Sequence, residues 1–419
     1  MRLRRPWIVL LALTSTLGAL AHAATRPTPP IVDLKALKTP AHVGSGQPYL
    51  AVAAEGGVFL SWLEAADSSA RALRVSRLTN NTWGAPLTVA EGDSFMVNAA
   101  DVPIVAALGN DKLMVAWPWL SGGDRGAYHI RMSGSVDGGR HWTYPMIPHR
   151  DDTPTEHGFV SLVAAEEGGV RVFWLDGRKY GEASAEEDSA TADSAEHHHA
   201  ETSLRTAWMG LDGSIKDEKE VDDRVCDCCP TAAVGRGSGA LVVYRDRTRD
   251  EVRDISIAWL DEHGWSDPAP VHPDGWKIHG CPVNGPAMDA IGDRLAVAWF
   301  TEKDDVARAY VAFSNDHGRG FGAPIRIDDG HPLGRVSVIM LDDGSALVGW
   351  MEARGADGMF RVRRVSPAQL SPSVTVARTS STRASGIPRM VRTRDRIVFA
   401  WTAAEGTPQV LVAVARVPS

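Results

Sequence analysis

The sequence predicts an all-β protein: a β-propeller of seven four-stranded blades. Three observations support this prediction. An apolar run that ends in an aromatic residue recurs at intervals of 51 to 70 residues, and a Gly, Asp or Asn turn precedes each run. Other short strands flank each run, which is typical of propeller blades. No segment keeps a helical period, which argues against a doubly wound fold. The seven aromatic residues are Trp62, Trp117, Trp174, Tyr244, Trp299, Trp350 and Trp401.

In each unit the apolar run is the second strand. It is apolar on both faces, as expected for a strand that is buried between neighbouring blades. The last unit ends after its third strand, "PQVLVAVARV". The stretch "PIVDLKAL", after Pro29, can supply the missing fourth strand, which would close the ring and remove a free sheet edge. A six-bladed ring is the alternative.

The first 23 residues predict a secretory signal peptide. Three arginines precede an apolar run from Trp7 to Leu20, and Ala21-His22-Ala23 fits a cleavage site. We therefore expect residues 24–419 to form a single exported domain, located in the periplasm or the medium, where disulfides persist. No later segment is long and apolar enough to span a membrane.

The net charge and one segment of biased composition limit the classes of partner that we expect. Acidic residues exceed basic ones, giving a net charge of −8, which argues against a nucleic acid partner. Residues 182–202, "EASAEEDSATADSAEHHHAET", are acidic and low in complexity, which predicts a flexible insert. Its adjacent His197, His198 and His199 can bind Cu²⁺, Ni²⁺ or Zn²⁺ opportunistically. We expect a monomer.

Two turns carry a sharper motif. "SVDGGRHW" fits S-x-D-x-G-x-x-W, and "SNDHGRGF" fits it with Phe in the last position. In such a turn the carboxylate accepts backbone N–H groups and glycine adopts a positive φ. These turns resemble the Asp-boxes of bacterial neuraminidase repeats (BNR repeats), and the chain resembles sialidase-like propellers over nearly its whole mature length. The motif residues, which we expect to be structural, are Ser135, Asp137, Gly139, Trp142, Ser314, Asp316, Gly318 and Phe321.

The resemblance implies that function lies on the face opposite these turns. That face carries the connections between blades and the loops from second to third strands, and most unusual residues of the sequence map there. The first functional hypothesis is therefore recognition of a glycan or another anionic small ligand. Its finer form is a sialidase-like glycoside hydrolase.

Sialidases hold the substrate carboxylate with three arginines and use a Tyr–Glu nucleophile pair and an Asp acid/base. By this resemblance the candidate catalytic residues are Asp176, Tyr180, Glu156 and Asp246. The candidate substrate-binding residues are Arg178, Arg245, Arg247, His157, Trp276 and Asn284. Because Arg178, Arg245 and Arg247 come just after the second strands of adjacent blades, we expect them to point into one cavity and to bind an anionic group, with which arginine pairs bidentately.

The sequence departs from the sialidase pattern in one respect. Its first blade lacks the Arg-Ile-Pro stretch that carries one sialidase arginine. The similar string "GIPR", residues 386–389, has another order and lies in the last blade.

All four cysteines fall in the connections into blades 4 and 5: Cys226, Cys228, Cys229 and Cys281. In an exported protein two disulfides are expected. Cys281 should bridge to Cys228 or Cys229, because a direct bridge between those two neighbours needs a strained peptide. No cofactor is required, but the alternative is a copper or zinc site of the same thiolates with His279. The second functional hypothesis follows from it: a non-catalytic propeller that binds a metal or a protein partner through its cysteine-bearing face.

Overall fold

The computed structural model describes residues 28–418 except 68, 123–125, 166–167, 182–200 and 395. It contains seven antiparallel sheets, and the first strands of the seven blades contact one another in cyclic order. The seven-bladed β-propeller is thus confirmed, and the six-bladed alternative is wrong. The predicted signal peptide lies outside the described residues, as does nearly all of the predicted insert. Within the described ranges, no helix has the length and apolar character needed to cross a membrane.

Blades 1 to 3 form the first part of the ring. β1 (Val32–Leu37) precedes them and belongs to the last blade. Blade 1 contains β2 (Gly46–Val52), β3 (Val58–Ala65), β4 (Arg71–Thr79), β5 (Thr82–Trp83) and β6 (Leu87–Gly92). Blade 2 contains β7 (Ile104–Gly109), β8 (Lys112–Leu120) and β9 (Tyr128–Ser135), and its fourth strand is reduced to a bridge between Met132 and Met146. Blade 3 contains β10 (His157–Ala164), β11 (Val170–Asp176), β12 (Ser203–Met209) and β13 (Ile215–Asp222).

Blades 4 to 7 complete the ring. Blade 4 contains β14 (Ala232–Arg236), β15 (Gly239–Arg245), β16 (Ile255–Asp261), β17 (Gly264–Trp265) and β18 (Ala269–His272). Blade 5 contains β19 (Ala287–Ile291), β20 (Arg294–Thr301), β21 (Arg308–Ser314) and β22 (Ile325–Arg326). Blade 6 contains β23 (Pro332–Met340), β24 (Ala346–Arg354), β25 (Asp357–Ser366), β26 (Gln369–Leu370) and β27 (Val374–Ser380). Blade 7 contains β28 (Arg389–Thr393), β29 (Arg396–Ala403) and β30 (Gln409–Arg416). Two short 3₁₀ turns span Lys303–Asp305 and Arg383–Ser385.

The ring closes through β1, which is the outermost strand of blade 7. It pairs antiparallel with β30, with Val32 opposite Arg416 and Leu37 opposite Val412. The Arg416 guanidinium also donates to the Asp33 carboxylate. The prediction that the stretch near Pro30 completes the last blade is confirmed. This pairing covers the outer edge of β30 and joins the two ends of the propeller.

The second strand of each blade is deeply buried, as its sequence predicted. In β3, seven of eight residues are buried. Several of these strands end in a buried tryptophan whose Nε1–H donates to a carboxylate two positions later, because a buried indole N–H needs an acceptor. These pairs are Trp62–Glu64 at 2.8 Å, Trp174–Asp176 at 2.7 Å and Trp350–Glu352 at 2.6 Å.

The two faces of the ring differ in what they carry. We call the side with the connections between blades the connection face and the opposite side the turn face. The S-x-D-x-G turn of blade 2 lies on the turn face, since the Gly138 N–H donates to the Asp111 carbonyl between β7 and β8. The Gly139 N–H donates to Ser135 Oγ, and the Gly318 N–H to Ser314 Oγ, both at 2.9 Å. Asp137 accepts the His141 N–H at 3.0 Å and Asp316 the Gly320 N–H at 2.9 Å, while Trp142 and Phe321 pack against the blade cores.

Candidate functional site

The centre of the ring contains a cavity of about 560 Å³, the central cavity, lined by the first strands of all seven blades. A second cavity of about 180 Å³ adjoins it on the connection face. We call this second cavity the mouth; it shares Ala100, Asn284, Arg335 and Ile387 with the central cavity. Asn284, a predicted binding residue, therefore lines both. Concave sites at the centre of a fold are the default positions for ligands.

Three of the first strands are irregular where they start at the connection face. The register of β2, β10 and β23 shifts there by a bulge. At each bulge a non-glycine residue has a positive φ: Gln47 at 58°, Phe159 at 52° and Arg335 at 54°. This conformation costs about 1–2 kcal/mol per residue. Bulges re-aim side chains, and residues in such conformations cluster at functional sites.

Five arginines line the two cavities. Arg392 and Arg394 lie at the far end of β28, and the other three, which we call the arginine trio, are Arg335, Arg383 and Arg389. Arg335 donates to the Thr382 carbonyl at 2.9 Å and to Ser385 Oγ at 2.6 Å. Arg383, at the exposed rim, makes one long bond of 3.4 Å to the carbonyl of Cys281. No member of the trio lies within 4.0 Å of a carboxylate in the parts of the chain that the structure describes.

Arg389 is the deepest of the trio. Its guanidinium stacks over the Tyr49 ring at 4.9 Å, and its Nε has no hydrogen-bond partner among the described residues. Burial lowers the pKa of Arg389. Burial also lowers the pKa of Arg335, and the neighbouring charge of Arg383 adds to that effect. Desolvated cations without counter-charges favour an anion between them.

A buried carboxyl lies on another side of the central cavity. Asp101 is 2% exposed, and burial raises its pKa to about 7, against the opposing effect of the Phe159 N–H and the Tyr128 hydroxyl. Burial, together with Asp101 and Glu156, raises the pKa of Tyr128 well above its usual value. Asp101 can therefore exchange a proton near neutral pH, while Tyr128 stays protonated.

The predicted catalytic residues of blade 3 do not line this site. Asp176 is fully buried and accepts hydrogen bonds from Trp174 and from Arg178, so it belongs to the tryptophan–carboxylate pairs of the fold. Tyr180 is 37% exposed and follows the same strand. Glu156 lies closer to the central cavity. Its backbone forms an isolated β-bridge with Tyr128, and its charge contributes to the raised pKa of Asp101.

The three predicted arginines are not brought together, and none lines the central cavity or its mouth. Arg178 is engaged by acidic partners: Asp176 at 2.7 Å, Glu218 at 3.0 Å and Asp151 at 3.1 Å. Arg247 pairs with Glu251 at 2.9 Å. Arg178 and Arg247 both follow second strands, and each pairs with a carboxylate of its own loop or blade.

Arg245 is 1% exposed and has a structural contact for each guanidinium nitrogen. It donates to the carbonyls of Asn284, Arg253 and Phe300 at 2.9, 2.6 and 2.7 Å. The predicted binding residue Trp276 stacks on it at 4.8 Å and is itself buried. Arg245 thus joins blades 4 and 5 rather than facing a ligand.

Asp246, the remaining predicted catalytic residue, lies in the loop after β15. It accepts hydrogen bonds from the Arg247 N–H at 2.6 Å and from Ser256 Oγ at 3.2 Å. Burial raises its pKa to about 6, and the charge of Asp222 adds to the shift. It lines neither the central cavity nor the mouth.

The cysteines form one disulfide, between Cys228 and Cys281. This confirms the prediction that Cys281 bridges to Cys228 or Cys229. Cys226 and Cys229 are buried free thiols, so the expected second bridge is not formed. The bridge also takes two of the four thiolates of the alternative metal site, and His279 is exposed.

Cys226 has the surroundings of a stabilised thiolate. Its Sγ lies 3.9 Å from Cys228 Sγ and 3.5 Å from a guanidinium nitrogen of Arg253. Burial by itself raises the pKa of Cys226, but hydrogen bonds from Cys229 and the Cys228 N–H, with nearby Arg245 and Arg253, lower it to about 7. The sulfur atoms of Cys226, Cys228 and Cys229 lie within 4.8 Å of one another, but Cys228 is part of the disulfide, so only Cys226 and Cys229 can offer thiolates.

His157, a predicted binding residue, is buried beside two further histidines and does not line the central cavity. Sequence reasoning missed the arginine trio and Asp101. The available signal was an arginine inside an otherwise apolar first strand, as in "PLGRVSVIM" for Arg335 and at the end of "GIPR" for Arg389. A charged side chain in a strand that lines the ring axis either faces the cavity or is buried, and burying an unpaired charge costs free energy.

No known protein family profile matches the chain, and no curated protein matches it. Solved structures do match. A polysaccharide lyase, Uly1, has a TM-score of 0.55 at 10% identity, over 89% of this chain and 90% of its own. The α-L-arabinofuranosidase of Fusarium graminearum has a TM-score of 0.47 at 11% identity, covering 94% and 98%. Trypanosoma rangeli sialidase has a TM-score of 0.47 at 12% identity, covering 81% and 56%. At these identities, what this chain shares with the lyase is the propeller fold.

Proposed function

We propose that this protein recognises an acidic glycan at the mouth of its central cavity. The observation that carries the proposal is the arginine trio: Arg335 and Arg383 line the mouth, Arg335 and Arg389 line the adjoining central cavity, and none has a carboxylate partner in the described part of the chain. A planar guanidinium pairs bidentately with a carboxylate or sulfate group. In a partly desolvated mouth that pairing is stronger than in water.

Groups next to the arginine trio are suited to contact the sugar ring that carries the acidic group. The mouth is lined by the half-buried Pro282 and Val283 and by the buried amide side chain of Asn284, and the Tyr49 ring lies beneath Arg389. Aromatic rings and amides are common in sites that bind sugar rings and hydroxyls. The polysaccharide lyase with a similar fold supports this choice of ligand class, and the positive-φ bulge at Arg335 supports the position.

The test is binding to a set of oligosaccharides that differ in charge: sialylated, uronate-bearing, sulfated and neutral. We expect acidic members to bind and neutral ones to bind at least tenfold more weakly. Arg389→Lys and Arg335→Lys should each weaken acidic binding at least tenfold, because an ammonium cannot reproduce bidentate pairing. The matched control is Arg319→Lys on the turn face, 49% exposed, which should change nothing. Equal binding of neutral and acidic members would overturn the proposal.

A second candidate function, cleavage of the bound glycan, is favoured by Asp101. A carboxyl with a pKa of about 7 on the cavity wall can act as a general acid or base at neutral pH. Fluorogenic acidic glycosides and unsaturated-product absorbance would detect hydrolysis and elimination respectively. Asp101→Asn should abolish turnover and keep binding. Full turnover by that variant would show that Asp101 is not the general acid or base, and absence of turnover by the parent chain would leave recognition alone.

The expected location is part of the proposal. The Cys228–Cys281 disulfide favours an oxidising compartment, because disulfides persist there, and the signal-like first 23 residues agree with that location. The glycan would then be met in the periplasm or outside the cell. Fractionation of producing cells, with N-terminal sequencing of the mature chain, tests this; intact residues 1–23 on cytoplasmic protein would contradict it.

A further inference from the structure

Three histidines meet on the connection face between blades 2 and 3, away from the mouth. His129 belongs to β9, His149 lies in the connection into blade 3, and His157 is the first residue of β10. The His149 and His157 rings are stacked, with centroids 4.0 Å apart and an interplanar angle of 4°. The His129 ring lies 5.2 Å from the first and 5.6 Å from the second. One nitrogen from each ring lies within 4.8 Å of the others.

Asp151 fixes the protons of two of these rings. Its Oδ1 lies 3.0 Å from His149 Nδ1, and its Oδ2 lies 3.0 Å from His157 Nε2. A carboxylate can only accept, so His149 carries its proton on Nδ1 and presents a lone pair at Nε2. Metal-ligating histidines are typically oriented in this way by a carboxylate behind the ring.

Two ring nitrogens of the cluster are buried without a partner. His149 Nε2 and His129 Nδ1 have no hydrogen bond to any described residue. A buried polar atom left unpaired costs about 1–3 kcal/mol, and two such atoms at one place are unusual in a folded protein. An ion that accepts both lone pairs would remove this cost.

We propose that this histidine cluster is a binding site for a divalent transition metal that prefers imidazole ligands, such as Zn²⁺. His129 Nδ1 and His149 Nε2 are the preformed ligands, at metal–nitrogen distances of about 2.0–2.1 Å once bound. A ligated metal ion lies in the plane of each imidazole ring. Because the rings of His149 and His157 are parallel and stacked, one ion cannot lie in both planes. His157 becomes the third ligand by turning its ring, which releases the 3.3 Å contact between its Nδ1 and the Thr155 carbonyl.

The surroundings suit a cation held mainly by neutral ligands. Asp151 and Asp176 lie beside His157, at 3.0 and 3.7 Å, and supply negative charge behind the rings. Arg178 already contacts Asp151 at 3.1 Å, so this carboxylate stays in the outer shell and orients the imidazoles. The next residues along the chain, Tyr128 and Glu156, both influence the pKa of Asp101 on the wall of the central cavity. The inference does not depend on the proposed function.

The test uses the full chain with His197, His198 and His199 replaced by serine, because adjacent imidazoles bind metals by themselves. Titration calorimetry with Zn²⁺ should give one ion per chain and an increase in melting temperature with added Zn²⁺. His149→Ala and His129→Ala should each weaken binding at least tenfold. His263→Ala is the matched control, since that side chain is 84% exposed outside the cluster, and it should leave affinity unchanged.

Two results would overturn the inference. One is Zn²⁺ affinity that is the same in the parent chain, His129→Ala and His149→Ala. The other is a thiolate charge-transfer band in the Co²⁺-loaded protein, which would place the ion at Cys226 and Cys229 instead. His149 is buried and its variant can fail to fold, so the half-buried His129 provides the independent arm, checked by circular dichroism.

Discussion

Cys228 and Cys281 are joined by a disulfide across the connections into blades 4 and 5, with their Cα atoms 6.1 Å apart at a sequence separation of 53. The bridge anchors the chain directly before Pro282, Val283 and Asn284, which line the mouth. Arg383 donates to the carbonyl of Cys281 itself. The covalent link and the candidate glycan site therefore share one segment of backbone.

Cys281→Ala should lower the free energy of unfolding by about 4 kcal/mol, because the bridge closes a long loop in the unfolded chain. Cys228→Ala should have the same effect, and the double variant should be no worse than either single one. Urea unfolding measures all three. Cys226→Ala removes a buried thiol but no bridge, and it is the control.

Thiol counting gives an independent check of the same bridge. Native protein should show no reactive thiol, since Cys226 and Cys229 are each 1% exposed. Denatured, non-reduced protein should show two. Four thiols in denatured protein purified without reductant would contradict the bridge.

The stability of the protein should depend on pH through Asp101. Its pKa is about 7 when folded and near 3.8 when unfolded, because burial favours the neutral acid. Between these values the folded state binds more protons than the unfolded state. Stability due to Asp101 is therefore fully present below about pH 4 and is lost as pH rises to about 7.

Comparison with Asp101→Asn isolates this effect, since the amide does not titrate. The difference in unfolding free energy, wild type minus variant, should fall by about 1.4 kcal/mol per pH unit between pH 4 and 7 and then level off. Denaturant titrations at five pH values would measure it. A flat difference would show that Asp101 is ionised in the folded protein.

The fold could be predicted because it depends on patterns that repeat. Seven buried strands ending in an aromatic fix the blade number, and an unfinished last unit requires β1 to complete it. The position of Cys281 in the connection next to Cys228 also followed from blade order. Each of these inferences depends only on knowing which residues lie near each other along a strand or on neighbouring strands.

The candidate site was harder to predict from the sequence, because it depends on the direction in which individual side chains point. Arg245 and Arg335 both lie at the connection-face ends of strands, but Arg245 turns inward onto three carbonyls. Arg335 is directed to the mouth by a bulge with φ at 54°. A bulge shifts the alternation of faces by one residue, and the sequence around it, "PLGRVSV", does not reveal that shift.

Arg245→Ala and Arg247→Ala should separate a structural arginine from a surface one. The first leaves three buried carbonyls without donors and should cost at least about 3 kcal/mol of stability. The second breaks an ion pair that is partly exposed and should cost about 1 kcal/mol or less. Thermal or urea unfolding measures both. If Arg245→Ala were as stable as Arg247→Ala, the inward arrangement of Arg245 would be wrong.

Arg335→Gly and Arg335→Ala should separate backbone strain from function. Both variants lack the guanidinium, so both should lose binding of acidic glycans. They differ in the backbone: at a φ of 54° a Cβ atom is disfavoured and glycine is not. Arg335→Gly should therefore be about 1 kcal/mol more stable than Arg335→Ala, although glycine is the more flexible residue when unfolded. Urea unfolding of the pair, with glycan binding measured on the same samples, tests both points. If the alanine variant proved the more stable, β23 would relax to a regular strand without Arg335, and the bulge would be a consequence of the arginine's contacts with Thr382 and Ser385 rather than of the fold.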